Sequence, residues 1–497
     1  MIPTLFIIFF WFLSQIKNSL FWLYLWQLKN YHLGRFKDHF RTKNGKSIFL
    51  NPFYLFKIAS LFLYKLLPFL PVLIIVFESF FPIKRKPVFT KKIIILFFSN
   101  ILVFVLLFKT LNYSNLTELS FYLLLINVLT PFITSFIVLA LQPFTVLLRS
   151  ITLLKARNKR KTLKNLKVIG ITGSYGKSST KEFLHTILAS KYKNVKKTKD
   201  NENSEMGISN FILNELNERD EYFVCEMGAY NKGGIKLLCE IADPQIGILT
   251  GINNQHLSTF GTQENIVKTK FELIHYVKEF SIVNYDNYLI RNSNPENSFK
   301  YSYLEKQDIY AENIKVFKNH IEFNVCLNKE KEFFKVNVLG GHNVSNLLGA
   351  IFVAHKLGMS LKEISKSANN ILQEQAGMTL KNNIIDATYS SNANGIIAHL
   401  NFLKLWSGKR IIVMPCLIEL QKESKRIHKE IGKKIYEVCD LAIITTKDHL
   451  KDLKEEGKEK ILYENNPDKI LKILNKYNHK EDIILLESRV PNKIIKK

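Results

Sequence analysis

Up to about residue 150 the chain is a succession of Phe-, Leu- and Ile-rich runs, with few acids: Asp38, Glu78 and Glu118. Four apolar runs stand out, at 2–27, 48–81, 93–108 and 121–148. A helix needs about 20 apolar residues to cross a bilayer, so the first and fourth are predicted spans and the third is short for one. The second is long, but Lys57 and Lys65 interrupt it and Pro68 and Pro71 break its helical pattern. With no basic start and no small-residue cleavage site before Lys17, the first run does not read as a cleaved signal peptide.

Basic residues set the orientation. They crowd the loop after the first run (Lys29 to Lys46), the approach to the third (Lys84 to Lys92) and the exit of the fourth (Arg149 to Lys161), whereas 111–120 has neither Lys nor Arg. The positive-inside rule places the basic loops, and everything after Arg149, in the cytoplasm. The second run then enters and leaves on one side, either as a hairpin near Pro68 and Pro71 or as an interfacial helix. The expectation is a multi-pass protein of the inner (plasma) membrane, with lipid as a partner.

From residue 167 the period changes. Short apolar runs at 167–171, 221–226, 246–250 and 280–284 have the pattern of buried parallel strands, and helical patterns occur at 178–189 and 235–241. From 301 to 339 the pattern is strand-like and polar, as in His320-Ile-Glu-Phe-Asn-Val-Cys326, and helices follow at 343–357 and 361–372. A second alternating set starts near Gly377, with strands at 384–386, 410–415, 441–445 and 483–487 and helices at 395–406, 425–438 and 467–477. Alternation of this kind predicts an α/β protein with two mainly parallel sheets. The predicted organisation is a helical membrane region at 1–150, a central domain at 151–375 and a C-terminal domain at 376–497.

Composition narrows the partners. The net charge of +27 raises nucleic acid as a candidate. The lysines are spread along the chain without an arginine-rich groove or an RNA-binding signature, and basic residues gather beside the apolar runs, facing an anionic membrane surface. No nucleic-acid partner is expected. The five cysteines, Cys225, Cys239, Cys326, Cys416 and Cys439, are scattered, which argues for a reducing compartment and against disulfides or a zinc site.

The strand at 167–171 runs into Thr172-Gly-Ser-Tyr-Gly-Lys-Ser178 and then a helix. Gly173 and Gly176 let the backbone curl so that successive N–H groups point into one concave space, and Thr172, Ser174, Tyr175 and Ser179 count with the loop as nucleotide-binding residues. Lys177 adds a positive charge, Ser178 a hydroxyl for magnesium, and the helix its positive end. Together they form a site for a nucleoside triphosphate. The strict phosphate-loop pattern has a glycine where Ile171 stands, so this is a shorter variant. Glu226 ends a predicted buried strand, where a carboxylate either holds a cation at the sheet's carboxyl edge or caps a helix. His256 lies in a loop after the third strand. Lys270 falls in a helical pattern in which a solvated face is the default reading. Gly341-His-Asn-Val-Ser-Asn346 starts a helix and reads equally as a capping segment.

The order of these segments resembles the Mur ligase family. It runs from the loop at 172–178 through Asn201-Glu-Asn-Ser-Glu-Met-Gly207, Glu226-Met-Gly, His256-Leu and Lys270-Phe-Glu to Gly341-His-Asn-Val-Ser-Asn346. It ends with Asp386-Ala-Thr-Tyr-Ser-Ser-Asn-Ala-Asn-Gly395 and Glu419-Leu420 with His428 downstream. The resemblance covers about 165–490. It implies a P-loop central Mur ligase domain followed by a Rossmann-like C-terminal Mur ligase domain. It also implies an ATP-dependent, ADP-forming amide ligase of peptidoglycan precursor synthesis that uses ATP and Mg2+. The stretch at 386–395 is most similar to the branch that adds D-alanyl-D-alanine to a muramoyl-peptide acceptor, UDP-N-acetylmuramoyl-tripeptide.

By position, the resemblance puts Lys177 and the loop amides on the phosphates and Ser178, Glu226 and His256 on magnesium. Lys270 matches a lysine that the family carbamylates, giving an anion beside the second metal; Lys177, His256 and Lys270 are then the catalytic set. His342, Asn343 and Asn346 lie near the adenine, and Asp386, Tyr389 and Asn392 at the ATP-facing edge of the last domain. The chain also departs from the pattern. Ala387, Ala393 and Asn394 replace Asp, Pro and Asp; Met378 stands where the family has a nucleotide-contacting arginine; Leu486 replaces a lysine before Glu487-Ser-Arg489. Membrane runs occupy the place of the family's uridine-nucleotide-binding domain. Two rival readings are a related ligase with another acid and amine, and a P-loop membrane protein coupling ATP to transport or assembly. Transport requires functional polar residues inside the runs, and Lys57, Lys65 and Glu78 are the candidates.

Overall fold

A computed structural model describes residues 2–83, 85–199, 202–255, 257–389, 392–418 and 420–495. The chain divides into two compact units, Met1–Leu148 and Arg149–Lys497.

The first unit is helical: α1 Ile2–Leu28, α2 Leu33–His39, α3 Lys43–Phe49, α4 Pro52–Leu63, α5 Leu70–Ser79, α6 Lys91–Lys109, α7 Leu116–Ala140 and the start of α8 Gln142–Thr162. Among the described residues three helical stretches, Pro3–Leu28, Lys91–Lys109 and Leu116–Thr162, are long and apolar enough to cross a membrane. The third apolar run, short in the sequence, becomes a 19-residue helix because Thr90 caps it ahead of Lys91 and Lys92 and Lys109 closes it. The second run breaks into α4 and α5, of 12 and 10 residues, each too short to span. They pack on each other and on α7 as a helical hairpin. The fourth run, one apolar stretch to 148 in the sequence, is divided in the structure: α7 ends at Ala140 and α8 restarts at Gln142.

The hairpin is tied down by a polar network. Lys57 and Glu78 form a buried ion pair. Lys57 Nζ also donates to Asn127 Oδ1 at 2.8 Å, and Asn127 Nδ2 donates to Ser14 Oγ at 2.6 Å. An ionised group in an apolar bundle is costly unless paired, so these contacts favour one packing of α4 and α5 against α1 and α7. Lys65 is exposed and lies outside the network.

The second unit holds two sheets. The strands of the first are β1 Lys167–Thr172, β2 Val195–Lys197, β3 Tyr222–Glu226, β4 Ile246–Leu249, β5 Phe280–Asn284, β6 Phe299–Ser302, β7 Ile309–Val316, β8 Ile321–Leu327 and β9 Glu330–Val336. Their order is β2-β3-β1-β4-β5-β6-β7-β8-β9, parallel up to β7 and antiparallel from β7 to β9. The second sheet, β10-β11-β15-β12-β13-β14, comprises β10 Thr379–Lys381, β11 Ile384–Ala387, β12 Arg410–Met414, β13 Leu441–Ile444, β14 Ile461–Tyr463 and β15 Ile483–Glu487, and is parallel except for β10.

The continuous apolar runs follow from burial on both faces. Ile169, Ile171, Ile246 and Ile248 pack under Phe183, Leu184, Leu347 and Ile351, while Val168, Phe223 and Cys225 face Ile212, Ile235 and Leu238 on the other side. Most predicted elements lie within a few residues of the observed ones. The three-residue strands β2, β10 and β14 and the helix Glu205–Glu215 had no predicted counterpart, and the helix predicted at 361–372 ends at Ala368. All five cysteines are buried free thiols. Because β1 lies between β3 and β4, the loops leaving the carboxyl ends of these three strands meet at one edge, where ligands gather in such sheets.

Candidate active site

The loop after β1 is held from both sides. Thr172 Oγ1 donates to the Met227 carbonyl at 3.0 Å, on the β3 side. On the β4 side Ser174 N donates to Gly251 O at 2.6 Å, Ser174 Oγ accepts from Asn253 N at 3.2 Å, and Tyr175 Oη accepts from Asn287 Nδ2 at 2.9 Å. Gly176 is the N-cap of the helix Lys177–Ala189 with φ +79°, a left-handed conformation that favours glycine. A Cβ there would overlap Asn346 Oδ1. None of the described side chains caps the first turn, so the N–H groups there remain available to an anion.

Three charged groups converge beside this helix end. Lys270, 4% exposed on the helix Gln263–Tyr276, has its amine brought down to about 7 by burial and then by the charge of Lys177. Burial likewise lowers Lys177, while the nearby Glu226 carboxylate opposes that shift. Glu226, at the end of β3, is buried; its Oε1 accepts from Asn203 Nδ2 at 2.8 Å and its Oε2 lies 3.6 Å from Lys181 Nζ. Asn203 belongs to the motif at 201–207 but carried no role there, and Lys181 was not singled out in the sequence. The legible signal was that Lys181 stands four residues after Lys177 on one helix face.

Ser178 sits half-buried on the first turn, and Ser179 Oγ donates to Ala376 O at 3.3 Å. His256, Asn201 and Glu419 lie outside the described residues. Among the described residues no cluster of three or more His, Cys, Asp or Glu is arranged to hold a metal. A carboxylate at the end of β3, Glu226, and a hydroxyl on the first turn of the loop's helix, Ser178, nevertheless are the donor types that fit magnesium, which takes one or two protein ligands and completes its shell with phosphate and water oxygens.

The Gly-His-Asn segment abuts the same loop. Asn343 Nδ2 donates to Leu339 O at 2.9 Å, and Asn346 Nδ2 donates to Asn343 Oδ1 at 2.9 Å. These two buried amides stiffen the start of the helix Asn343–Lys356 where Asn346 touches Gly176. His342 is held neutral, its pKa pushed down to about 3 by burial and by His399, whose ring lies 5.3 Å away.

The segment after β11 shapes itself. Asp386 Oδ1 accepts from Thr388 N at 3.0 Å and Thr388 Oγ1 at 2.6 Å. Asn392 caps the helix Ala393–Leu403 through Gly395 N at 2.9 Å, and Tyr389 is 48% exposed. Contact with the phosphate-loop side comes from Asn394, whose Oδ1 accepts from Asn253 Nδ2 at 2.9 Å. Met378 and Leu486 are buried in apolar clusters. His428, also buried, accepts from Leu417 N at 3.0 Å and contacts Ser424 O at 2.6 Å, so it braces the loop after β12.

Residues 171–354 match the model of the Mur ligase middle domain, which takes in the phosphate loop, Glu226, Lys270 and His342 to Asn346. The second unit therefore carries the Mur ligase α/β fold. Within that class the chain is similar to UDP-N-acetylmuramoyl-tripeptide–D-alanyl-D-alanine ligase of Bacillus subtilis, 29% identical over 277 residues, covering 54% of this chain and 59% of the relative. The enzyme of the same name from Escherichia coli is 27% identical over 279 residues, with 54% and 61% covered. Among solved structures, MurF of Acinetobacter baumannii superposes with TM-score 0.63 at 23% identity over 70% of this chain and 79% of that one. MurF of Thermotoga maritima, solved in complex with ADP, gives 0.62 at 25% identity over 70% and 82%. The chain spans about 59% of the length of the first curated relatives.

Proposed function

We propose that this chain is an ATP-dependent, ADP-forming ligase that joins D-alanyl-D-alanine to the peptide of UDP-N-acetylmuramoyl-tripeptide, and that it works at the cytoplasmic face of the membrane holding its N-terminal helices. The proposed organisation has three parts, 1–150, 151–375 and 376–497. The observation that carries the reading is the uncapped helix end at Gly176, with Lys177, Lys270 and Glu226 converging beside it. The similarity to MurF supports the choice of substrates.

The reaction needs alignment and charge neutralisation more than side-chain acids or bases. The acceptor carboxylate attacks the γ-phosphate of ATP, giving an acyl phosphate and ADP. The amine of D-alanyl-D-alanine then attacks the acyl carbon, phosphate leaves and the amine proton is lost. The first-turn amides and Lys177 take up the charge of the phosphates. Ser178 and Glu226, with His256, would hold magnesium, which when bound neutralises phosphate oxygens. Asn203 and Lys181 hold the Glu226 carboxylate in place. A Lys270 amine near 7 is partly neutral at physiological pH and so able to take up carbon dioxide as a carbamate. That exchange would replace a cation facing Lys177 with an anion.

Membrane placement has its own support. Three span-length helices and one short hairpin give the parity that the basic loops require. On α8, Phe144, Leu147 and Leu148 are exposed at the end of the first unit; in the second unit Ile151 and Leu154 are exposed while Leu153 and Ala156 join its core. Exposed apolar side chains followed by Lys155, Arg157, Lys159 and Lys161 suit an anionic bilayer surface. The transport reading loses ground because Lys57 and Glu78 are paired with each other and Lys65 lies outside that network.

The test is mass spectrometry after incubating membranes with ATP, D-alanyl-D-alanine and soluble or lipid-linked muramoyl-tripeptide. Pentapeptide product with ADP supports the proposal. ADP release with another acid and amine alone would indicate a ligase of different specificity. ATP hydrolysis without any amide product would sink the reading.

A further inference from the structure

A buried pair at the edge of the second sheet is not used by the chemistry above. Glu487, at the end of β15, is 1% exposed. Its Oε2 lies 2.7 Å from His399 Nδ1, and its Oε1 is buried without a partner among the described residues. His399 stands on the helix Ala393–Leu403, whose ring contact across the two sheets is His342, 5.3 Å away. His342 Nδ1 is likewise buried without a partner among the described residues. Met378 closes the same place: a Cβ on Gly340 would lie 2.8 Å from the His342 ring and 3.4 Å from the Met378 methyl.

A buried carboxylate that orients a histidine fixes its ring and tautomer. With Nδ1 turned to Glu487, Nε2 is the nitrogen left for another polar group. Two imidazoles, His342 at the start of the helix Asn343–Lys356 and His399 from the helix Ala393–Leu403, therefore stand together. One turn further along, about 5 Å, Asn346 touches the phosphate loop. A nucleotide with its phosphates on the Gly176 helix end has its nucleoside within reach of this pair. Met378 offers that nucleoside no charge and no hydrogen bond, so a polar contact there has to come from a neighbouring element.

We propose that His399, oriented by Glu487, is a binding residue for the nucleoside end of the nucleotide and meets it from the second sheet beside His342. The proposal rests on the ATP reading above. Binding of the nucleoside then also depends on how the second sheet packs against the first, whereas binding of the phosphates alone does not.

The test compares magnesium-ADP with inorganic tripolyphosphate, by calorimetry on the full-length protein in detergent. His399→Ala is expected to weaken ADP about tenfold, the size of one lost hydrogen bond, and to leave tripolyphosphate within about twofold of wild type. Glu487→Gln keeps the side-chain volume and is expected to give a smaller loss in the same direction. If His399→Ala does not fold, His399→Gln takes its place. Unchanged ADP binding in a folded variant overturns this proposal alone, as does an equal loss of both ligands. A wild-type protein that binds tripolyphosphate but not ADP overturns the ATP reading and this proposal together.

Discussion

Burial, and then the facing Lys177, bring the Lys270 amine down from the usual lysine range to about 7. The unfolded chain therefore binds a proton there that the folded chain has given up between about pH 7 and 10. Stability contributed through this group rises with pH across that window. In carbon-dioxide-free buffer the thermal midpoint of wild type should climb relative to Lys270→Met between pH 7 and 9; parallel curves would show that the amine is not depressed. Lys270→Ala should lose most ligase activity and regain part of it with added short carboxylic acids, whereas Lys268→Ala, altered at an exposed position, should be near wild type. Lys177→Ala should lose both ADP and tripolyphosphate binding without unfolding. The sequence marked Lys177 by its neighbours, since the glycines and the strand before it are local. It could not separate Lys270 from Lys268, because the two differ in burial and not in pattern.

The hairpin α4–α5 shows the same limit one level up. Pro68 and Pro71 announced a break, but a hairpin and an interfacial helix have the same apolar composition. What holds α4 against α5 is Lys57 meeting Glu78 across 21 residues and Asn127 on α7. Removing one partner leaves a buried charge unpaired, so Lys57→Met is expected to cost about 3–5 kcal/mol. Lys57→Met with Glu78→Leu should recover most of that loss, read as thermal midpoints in detergent. Equal destabilisation by the single and double variants would mean the pair does not hold the hairpin. Elsewhere the alternation of strand and helix was readable, because strands buried on both faces leave continuous apolar runs. Three-residue strands such as β2 and β14 carry too few positions for any period to show.

For the molecule as a whole, orientation is the property most open to direct test. Asn112→Cys, in the loop between α6 and α7, should react with a membrane-impermeant maleimide on intact cells, and Lys161→Cys only after permeabilisation; the five native thiols are buried and supply little background. The reverse pattern would overturn the cytoplasmic placement of the second unit. Much of the architecture needed no tertiary information. A glycine turn between a strand and a helix, a charge bias across apolar runs and an alternating pattern are each written in residues close together in the chain. Their order was enough to suggest the Mur ligase resemblance. The burial of Lys270, the bracing of Glu226 by Asn203 and Lys181, and the pairing of His399 with Glu487 across 88 residues were not written that way. Each depends on which surfaces lose water when distant elements pack, and the free energy of a charge or a hydrogen bond is set by that loss.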